Sequence, residues 1–167
     1  VPSALKAKAL MLKMKMAKSR GLEGTATDSV AITFNKMLLL YSKGRLKKHE
    51  IFVCKAPDFW IDKGLECCDV MLPVSVIEKA MVKHELLLEH FVNFPDSLRK
   101  GNELFLSKSV KGAYVQLTEL RDYKNNRVVV AIHLRRKDTG YVVYKIASVH
   151  GRVERQLDKW RGQNLNL

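Results

Sequence analysis

Two stretches of the chain carry groups that can move protons and hold phosphate. Lys83-His84 falls late on a predicted helix, and Ile146-Ala147-Ser148-Val149-His150 lies on the last predicted strand. An imidazole with a pKa near ~6.5 accepts or donates a proton at neutral pH. A hydroxyl can hydrogen-bond a phosphate or position a 2′-hydroxyl. In a chain of formal net charge +13, these groups meet the needs of metal-free phosphodiester cleavage. His84 is the leading acid–base candidate. Lys83 precedes it, so on a helix the two side chains diverge by about 100°. Both can line the edge of a cleft, but both cannot face one core. Taken alone, a histidine on an apolar stripe is more often packing than chemistry.

Strict alternation along the last strand puts Tyr144, Ile146, Ser148 and His150 on one face. Val143, Lys145, Ala147 and Val149 then take the other. Ser148 and His150 are therefore expected to point the same way, although a half-buried Ser with an exposed His is the commoner arrangement. His133 shares a face with Val129 and Ala131 on the preceding strand. Lys145, Arg127, Arg135, Arg136, Arg152 and Arg155 surround these elements. Some can neutralise phosphates, and the rest form a solvated basic face.

The elements that must hold these groups follow from periodicity. Ala4 to Ser19 is rich in helix formers, with lysines spread around the helix and only a weak apolar stripe. Gly21 to Thr27 reads as a linker, and Asp28 as a cap for a helix carrying Val30, Phe34, Met37, Leu38 and Tyr41 at helical spacing. Gly44 closes that helix, and the boundary of the main domain falls near residue 45. Ile51 to Cys54 is a short strand candidate, and Ala56-Pro57-Asp58 opens a brief turn or helix. Met71-Leu72-Pro73-Val74 leads into Ser75-x-x-Glu78, which has the form of a capping box. Ile77, Ala80, Met81 and His84 then share a face. Leu104 to Ser107, Tyr114 to Leu120, Val128 to Leu134 and Tyr141 to Val149 are β-rich, with turns at Asp122 to Asn126 and Lys137 to Gly140. Their short connections predict an antiparallel meander. Arg152 to Trp160 reads as a short basic helix. The fold class expected is α+β, N-terminal helices followed by a central antiparallel sheet of about four strands.

Composition narrows the chemistry. The 167 residues suffice for one domain with a sizeable core, and 47% are hydrophobic. Thirty Lys and Arg against seventeen Asp and Glu repel one another, and a polyanion relieves that repulsion. Nucleic acid is the first partner expected, then an anionic membrane surface, then an acidic protein. Cys54, Cys67 and Cys68 form no disulfide framework and no Cys-x-x-Cys. Reduced thiols in a reducing cytosol are expected. No apolar run approaches the ~20 residues of a membrane span, and no signal-peptide cleavage pattern follows the basic start. A beginning at Val-Pro is expected of a piece cut from a longer polypeptide. The sequence has no Gly-rich phosphate loop, no nucleophile elbow and no acidic cluster for two metals. No metal or cofactor is expected.

The order of motifs resembles a known group. Three stretches carry the likeness: Trp60 to Val76; Lys83-His84 through Phe94-Pro95-Asp96-Ser97-Leu98; and Val128-Val129-Val130-Ala131-Ile132-His133-Leu134 followed by Ile146-Ala147-Ser148-Val149. Together, over roughly residues 51–155, they resemble the C-terminal toxin domains of phage MuF-type head proteins and other polymorphic toxins, of the barnase–EndoU–colicin–RelE group of ribonuclease-like folds. The resemblance implies a small α+β domain that cleaves RNA without a metal. It places the family's helix-borne Lys-His on Lys83 and His84 and its late hydroxyl on Ser148. His150 stands where the family usually has an aromatic residue. Residues 1–45 lie outside the likeness and would be a helical junction to a delivery protein, with residues 46–167 the toxin domain. Delivery from a larger secreted or phage-borne protein and action in the target cell's cytoplasm are further implications.

The leading expectation is an endoribonuclease toxin. His84 acts as base or acid, Ser148 orients the phosphate, and Lys83, Lys145 and Arg127 stabilise its charge; His150 and Arg152 add RNA contacts. An acidic cognate immunity protein is the expected protein partner. A non-enzymatic nucleic-acid-binding module and an adaptor for an acidic protein are the alternatives.

Overall fold

The computed structural model describes residues 8, 11–12, 26–101, 103–107, 110–136, 139–163 and 167. Six strands form one open sheet: β1 (Glu50–Lys55), β2 (Asp69–Pro73), β3 (Glu103–Leu106), β4 (Ala113–Arg121), β5 (Arg127–Arg136) and β6 (Val142–Arg152). Their order across the sheet is β1-β2-β6-β5-β4-β3. Among the described residues the helices with assigned bounds are α1 (Ala26–Ser42), α2 (Asp58–Asp62), α3 (Val74–Lys83), α4 (Phe94–Arg99) and α5 (Glu154–Gly162), with a 3-10 turn at Leu88–Phe91. The architecture is α+β, as expected. The sheet, however, has six strands rather than about four. It is also mixed, because β2 pairs with β6 in parallel while all other neighbours are antiparallel. Asp69–Pro73 reads in sequence as a lead-in to a helix, since proline ends the ladder by lacking an amide hydrogen. Its alternating burial, with Val70 and Leu72 fully enclosed, shows a strand all the same.

Other boundaries move too. Helix α1 starts at Ala26, so Asp28 sits inside it rather than capping it, and the expected linker overlaps its first turn. Of the helix expected over Ala4 to Ser19, Lys8, Met11 and Leu12 are helical and the remainder lies outside the described residues, as do Lys137 and Asp138 of the last turn. The capping box at Ser75 does not form: α3 begins two residues earlier than such a cap would start it, with Pro73 as its extended N-cap and no side-chain cap bond. Proline supplies no amide that needs capping and presets its own φ, which explains the shift.

The sheet has two apolar faces. One carries the main core, where Val128, Val130 and Ile132 of β5 meet Tyr144, Ile146 and Val149 of β6 beneath Ile77 and Ala80 of α3 and Phe94 and Leu98 of α4. Phe34 and Leu38 of α1 enter the same core, and Phe34 stacks on Phe94. Two hydrogen bonds fasten α1 there: Asn93 N–H donates to Asn35 Oδ1 at 2.9 Å, and Asn35 Nδ2 donates to Asn93 Oδ1 at 2.7 Å. The opposite face holds a smaller cluster of Phe105, Leu117, Val129 and Leu157. Helix α5 is docked over it by Arg161, which forks onto both oxygens of Glu103 at 2.7 and 2.9 Å.

One buried polar group ties the layers together. Gln116, fully enclosed, accepts from the Trp60 indole N–H at 2.7 Å and donates to the Leu98 carbonyl at 2.7 Å. Gly101 leaves room for it: a β-carbon there would fall 2.0 Å from Gln116 Nε2. Replacing the amide by an apolar group of like size strands one buried donor and one buried acceptor, each costing about 1–3 kcal/mol. Gln116→Leu is therefore expected to lower the unfolding free energy by about 2–4 kcal/mol in urea titrations. An unchanged midpoint would show that the bonds contribute nothing.

Candidate functional site

Helix α3 stops at Lys83, which makes His84 its C-cap rather than a member of its apolar face (φ −113°, ψ 8°). The amides of His84 and Leu86 both donate to the Ala80 carbonyl, at 3.2 and 3.1 Å. Between them Glu85 adopts the left-handed conformation, φ 57°, where glycine is the usual residue. This reversal sends the chain away and leaves the half-buried His84 ring at the flank of β6. That flank is open because β2 pairs only with residues 143–145 of β6 before turning into α3.

Strand β6 does not keep a two-residue period. Ala131 is opposite Ser148, but Ile132 is opposite Ile146, so one extra residue, Ala147, bulges from the ladder. The expected grouping of Tyr144, Ile146, Ser148 and His150 on one face is corrected accordingly. Tyr144, Ile146 and Val149 face the main core. Ser148, His150 and Arg152, opposite Ala131, Val129 and Arg127, share the other face with α5. A bulge reverses the phase of everything beyond it.

The two imidazoles then meet. The His84 and His150 rings lie 5.0 Å apart, centroid to centroid, with an interplanar angle of 37°. Both ring nitrogens of His150 are buried without a hydrogen-bond partner. Burial, then Arg152, His84 and Lys79, push its pKa down to about 4. His84 is lowered as well, first by burial and then by Lys79, Arg152 and Lys83. Two neutral imidazoles thus sit among three cations. Lys79 and Lys83 lie one turn apart on α3, and the Arg152 guanidinium sits over the Trp160 ring, 5.8 Å from its centroid. An anion placed among these groups favours both imidazolium forms and offsets the repulsion.

The remaining candidates divide. Ser148 lies two residues before His150 on the same face, about 7 Å along the strand. Lys145 is committed elsewhere, with its ammonium 2.5 Å from Glu50 of β1. Arg127 faces Arg152 in register, but its guanidinium donates to Glu119 at 3.1 Å and to the Thr118 carbonyl at 3.2 Å. His133 contacts Arg135 at 3.3 Å. Lys79 is the residue that sequence reading missed, though its four-residue spacing from Lys83 on a helix is the signal that finds it. Among the described residues, no three His, Cys, Asp or Glu side chains are placed to hold a metal ion. No described helix is long and apolar enough to cross a membrane.

A histidine whose pKa falls on folding makes stability depend on acid. The unfolded chain binds a proton near pH 6.5 that folded His150 refuses until about pH 4. Stability is therefore intact above pH 6.5 and falls as pH drops through that window. Urea titrations at pH 7 and pH 5 are expected to show a smaller acid loss for His150→Leu than for the wild type. Equal losses would mean that the imidazole is not held neutral.

Residues 75–167, from the second residue of α3 to the last residue, match the family model described as the phage MuF C-terminal domain. The match begins later than the expected likeness over 51–155, so β1 and β2 fall outside it. No curated protein and no solved structure matches the chain. The match includes both histidines, all three cations around them and the bulged strand, and it takes in more than half of the chain. The chain therefore belongs to the phage MuF C-terminal domain family.

Proposed function

We propose that this domain is an endoribonuclease toxin that cleaves RNA by internal attack of the 2′-hydroxyl. The single observation that carries this reading is the His84–His150 pair, 5.0 Å apart, among Lys79, Lys83 and Arg152. The phosphodiester binds among the cations, and Ser148 orients it. His84, the more accessible ring, takes the proton of the 2′-hydroxyl as the 2′-oxygen bonds to phosphorus. The bond from phosphorus to the 5′-oxygen breaks, and a protonated imidazole supplies that oxygen with its proton. The products are a 2′,3′-cyclic phosphate and a free 5′-hydroxyl. The resting imidazoles are held neutral, so the bound phosphate itself provides the charge that lets one of them carry a proton. Lys79, Lys83 and Arg152 stabilise the charge that builds on the phosphoryl oxygens. Lys79 and Arg152 take the roles expected of Lys145 and Arg127, whose charges are already paired.

The same cationic face favours an acidic immunity protein as a partner, because opposite charge speeds encounter and covers the site. The same reading has the domain delivered as part of a larger phage-borne or secreted protein and acting in the recipient's cytoplasm; the phage description of the family supports the phage-borne part of it.

General acid–base groups contribute about 10²–10⁴-fold to rate. His84→Ala is expected to reduce RNA cleavage in EDTA at least ~100-fold while the thermal unfolding transition persists. Full activity in that variant would remove His84 from the mechanism. Intact RNA with the wild type, together with a salt-sensitive gel shift, would instead identify a nucleic-acid-binding module.

A further inference from the structure

The site as described holds charge and protons but nothing that reads a base. An exposed aromatic ring lies on the β4–β5 turn. Tyr123 is 59% exposed, and the carboxylate of Glu85, the residue after His84, stands close enough to its hydroxyl to raise the phenol's pKa. Lys124 pairs with the same carboxylate at 3.0 Å, and its ammonium lies 5.7 Å from the Tyr123 ring centroid.

The turn that presents this ring is rigidly built. Asp122 Oδ1 accepts from the amides of Lys124 and Asn126, at 2.9 and 2.8 Å, and Asn125 takes the left-handed conformation at φ 65°. It also abuts the strand that carries His150. A β-carbon on Gly151 would fall 2.0 Å from Asp122 Oδ2, so the turn rests directly against the residue after His150. The strained backbone at Glu85 serves the same contact, since it aims the carboxylate at Tyr123 and Lys124. An exposed aromatic ring on a turn whose Asp122 abuts Gly151 and whose Lys124 pairs with Glu85 stands beside the residues that follow both imidazoles, where a stacking platform is useful.

We propose that Tyr123 is the base-stacking wall of this site, receiving on its ring the nucleobase next to the phosphate held beside His84. The proposal rests on the reading that the site binds RNA. It makes Tyr123 a substrate-binding and specificity residue, with the Glu85–Lys124 ion pair as its neighbour on the turn. Stacking reads a π-face rather than an edge, so the preference it confers is graded between bases.

The test uses the full chain and a non-cleavable 2′-O-methyl dinucleotide, followed by NMR. The dinucleotide is expected to shift the ring protons of both Tyr123 and His84, whereas inorganic phosphate shifts His84 and leaves Tyr123 in place. Tyr123→Ala should weaken dinucleotide binding by about tenfold or more, the scale of one stacked base, and leave phosphate binding unchanged. Tyr123→Phe, which keeps the ring and loses the hydroxyl, should bind within a few-fold of the wild type. The proposal fails if Tyr123→Ala binds the dinucleotide as tightly as the wild type, or if the wild type's Tyr123 resonances do not move. It stands if the resonances move but RNA survives incubation with the wild type, in which case only the cleavage reading is lost.

Discussion

The site depends on a single inserted residue in a central strand. With Ala147 in register, His150 would follow Ile146 onto the core face and be sealed among Val130, Ile132 and the helices. With Ala147 bulged out, Val149 takes that place in the core, and Ser148, His150 and Arg152 turn to the other side. The bulge costs one pair of ladder bonds. In return, a hydrophobic strand delivers three polar side chains to one flank without leaving the middle of the sheet. The parallel pairing of β2 to β6 completes the arrangement. By ending after three residues it leaves a gap beside β6, and α3 brings His84 to that gap.

Electrostatics then sets the resting state. Histidine pairs close to several cations repel their own protons, so both rings stay neutral at pH 7. The cluster is stable in that form because the His150 nitrogens are shielded and the lysines remain in water. Its unfavourable feature is the excess of positive charge with no carboxylate among the groups that act on the two rings. Such an arrangement is poor as a structural core and well suited to an anion. Three of the domain's basic residues, Lys79, Lys83 and Arg152, act on these two rings.

Much of this was legible in the residues. The helix ending near His84, the four later strands, the turn at Asp122 to Asn126 and the terminal basic helix all follow from period and turn chemistry. His84, Lys83, His150 and Arg152 stand out by type. Three features were not legible, each for a physical reason. The bulge at Ala147 has no sequence mark, because alanine fits either phase. Strand β2 is only five residues long and ends in proline, so it reads as a helix approach. The charges of Lys145 and Arg127 look free until Glu50 and Glu119 arrive from other strands. Within residues 1–45, read as a junction outside the likeness, the stripe holding Phe34 and Leu38 is legible as core by its helical period, and both side chains enter the main core while Asn35 bonds Asn93.

Through-space contact between the two rings tests the central claim most directly. In a nuclear Overhauser spectrum of the wild-type protein at pH 7, cross-peaks between the ring protons of His84 and His150 are expected, since the rings are 5.0 Å apart. Cross-peaks from His150 to the methyl groups of Ile132 and Ile146, with none to His84, would place His150 in the core and contradict the account.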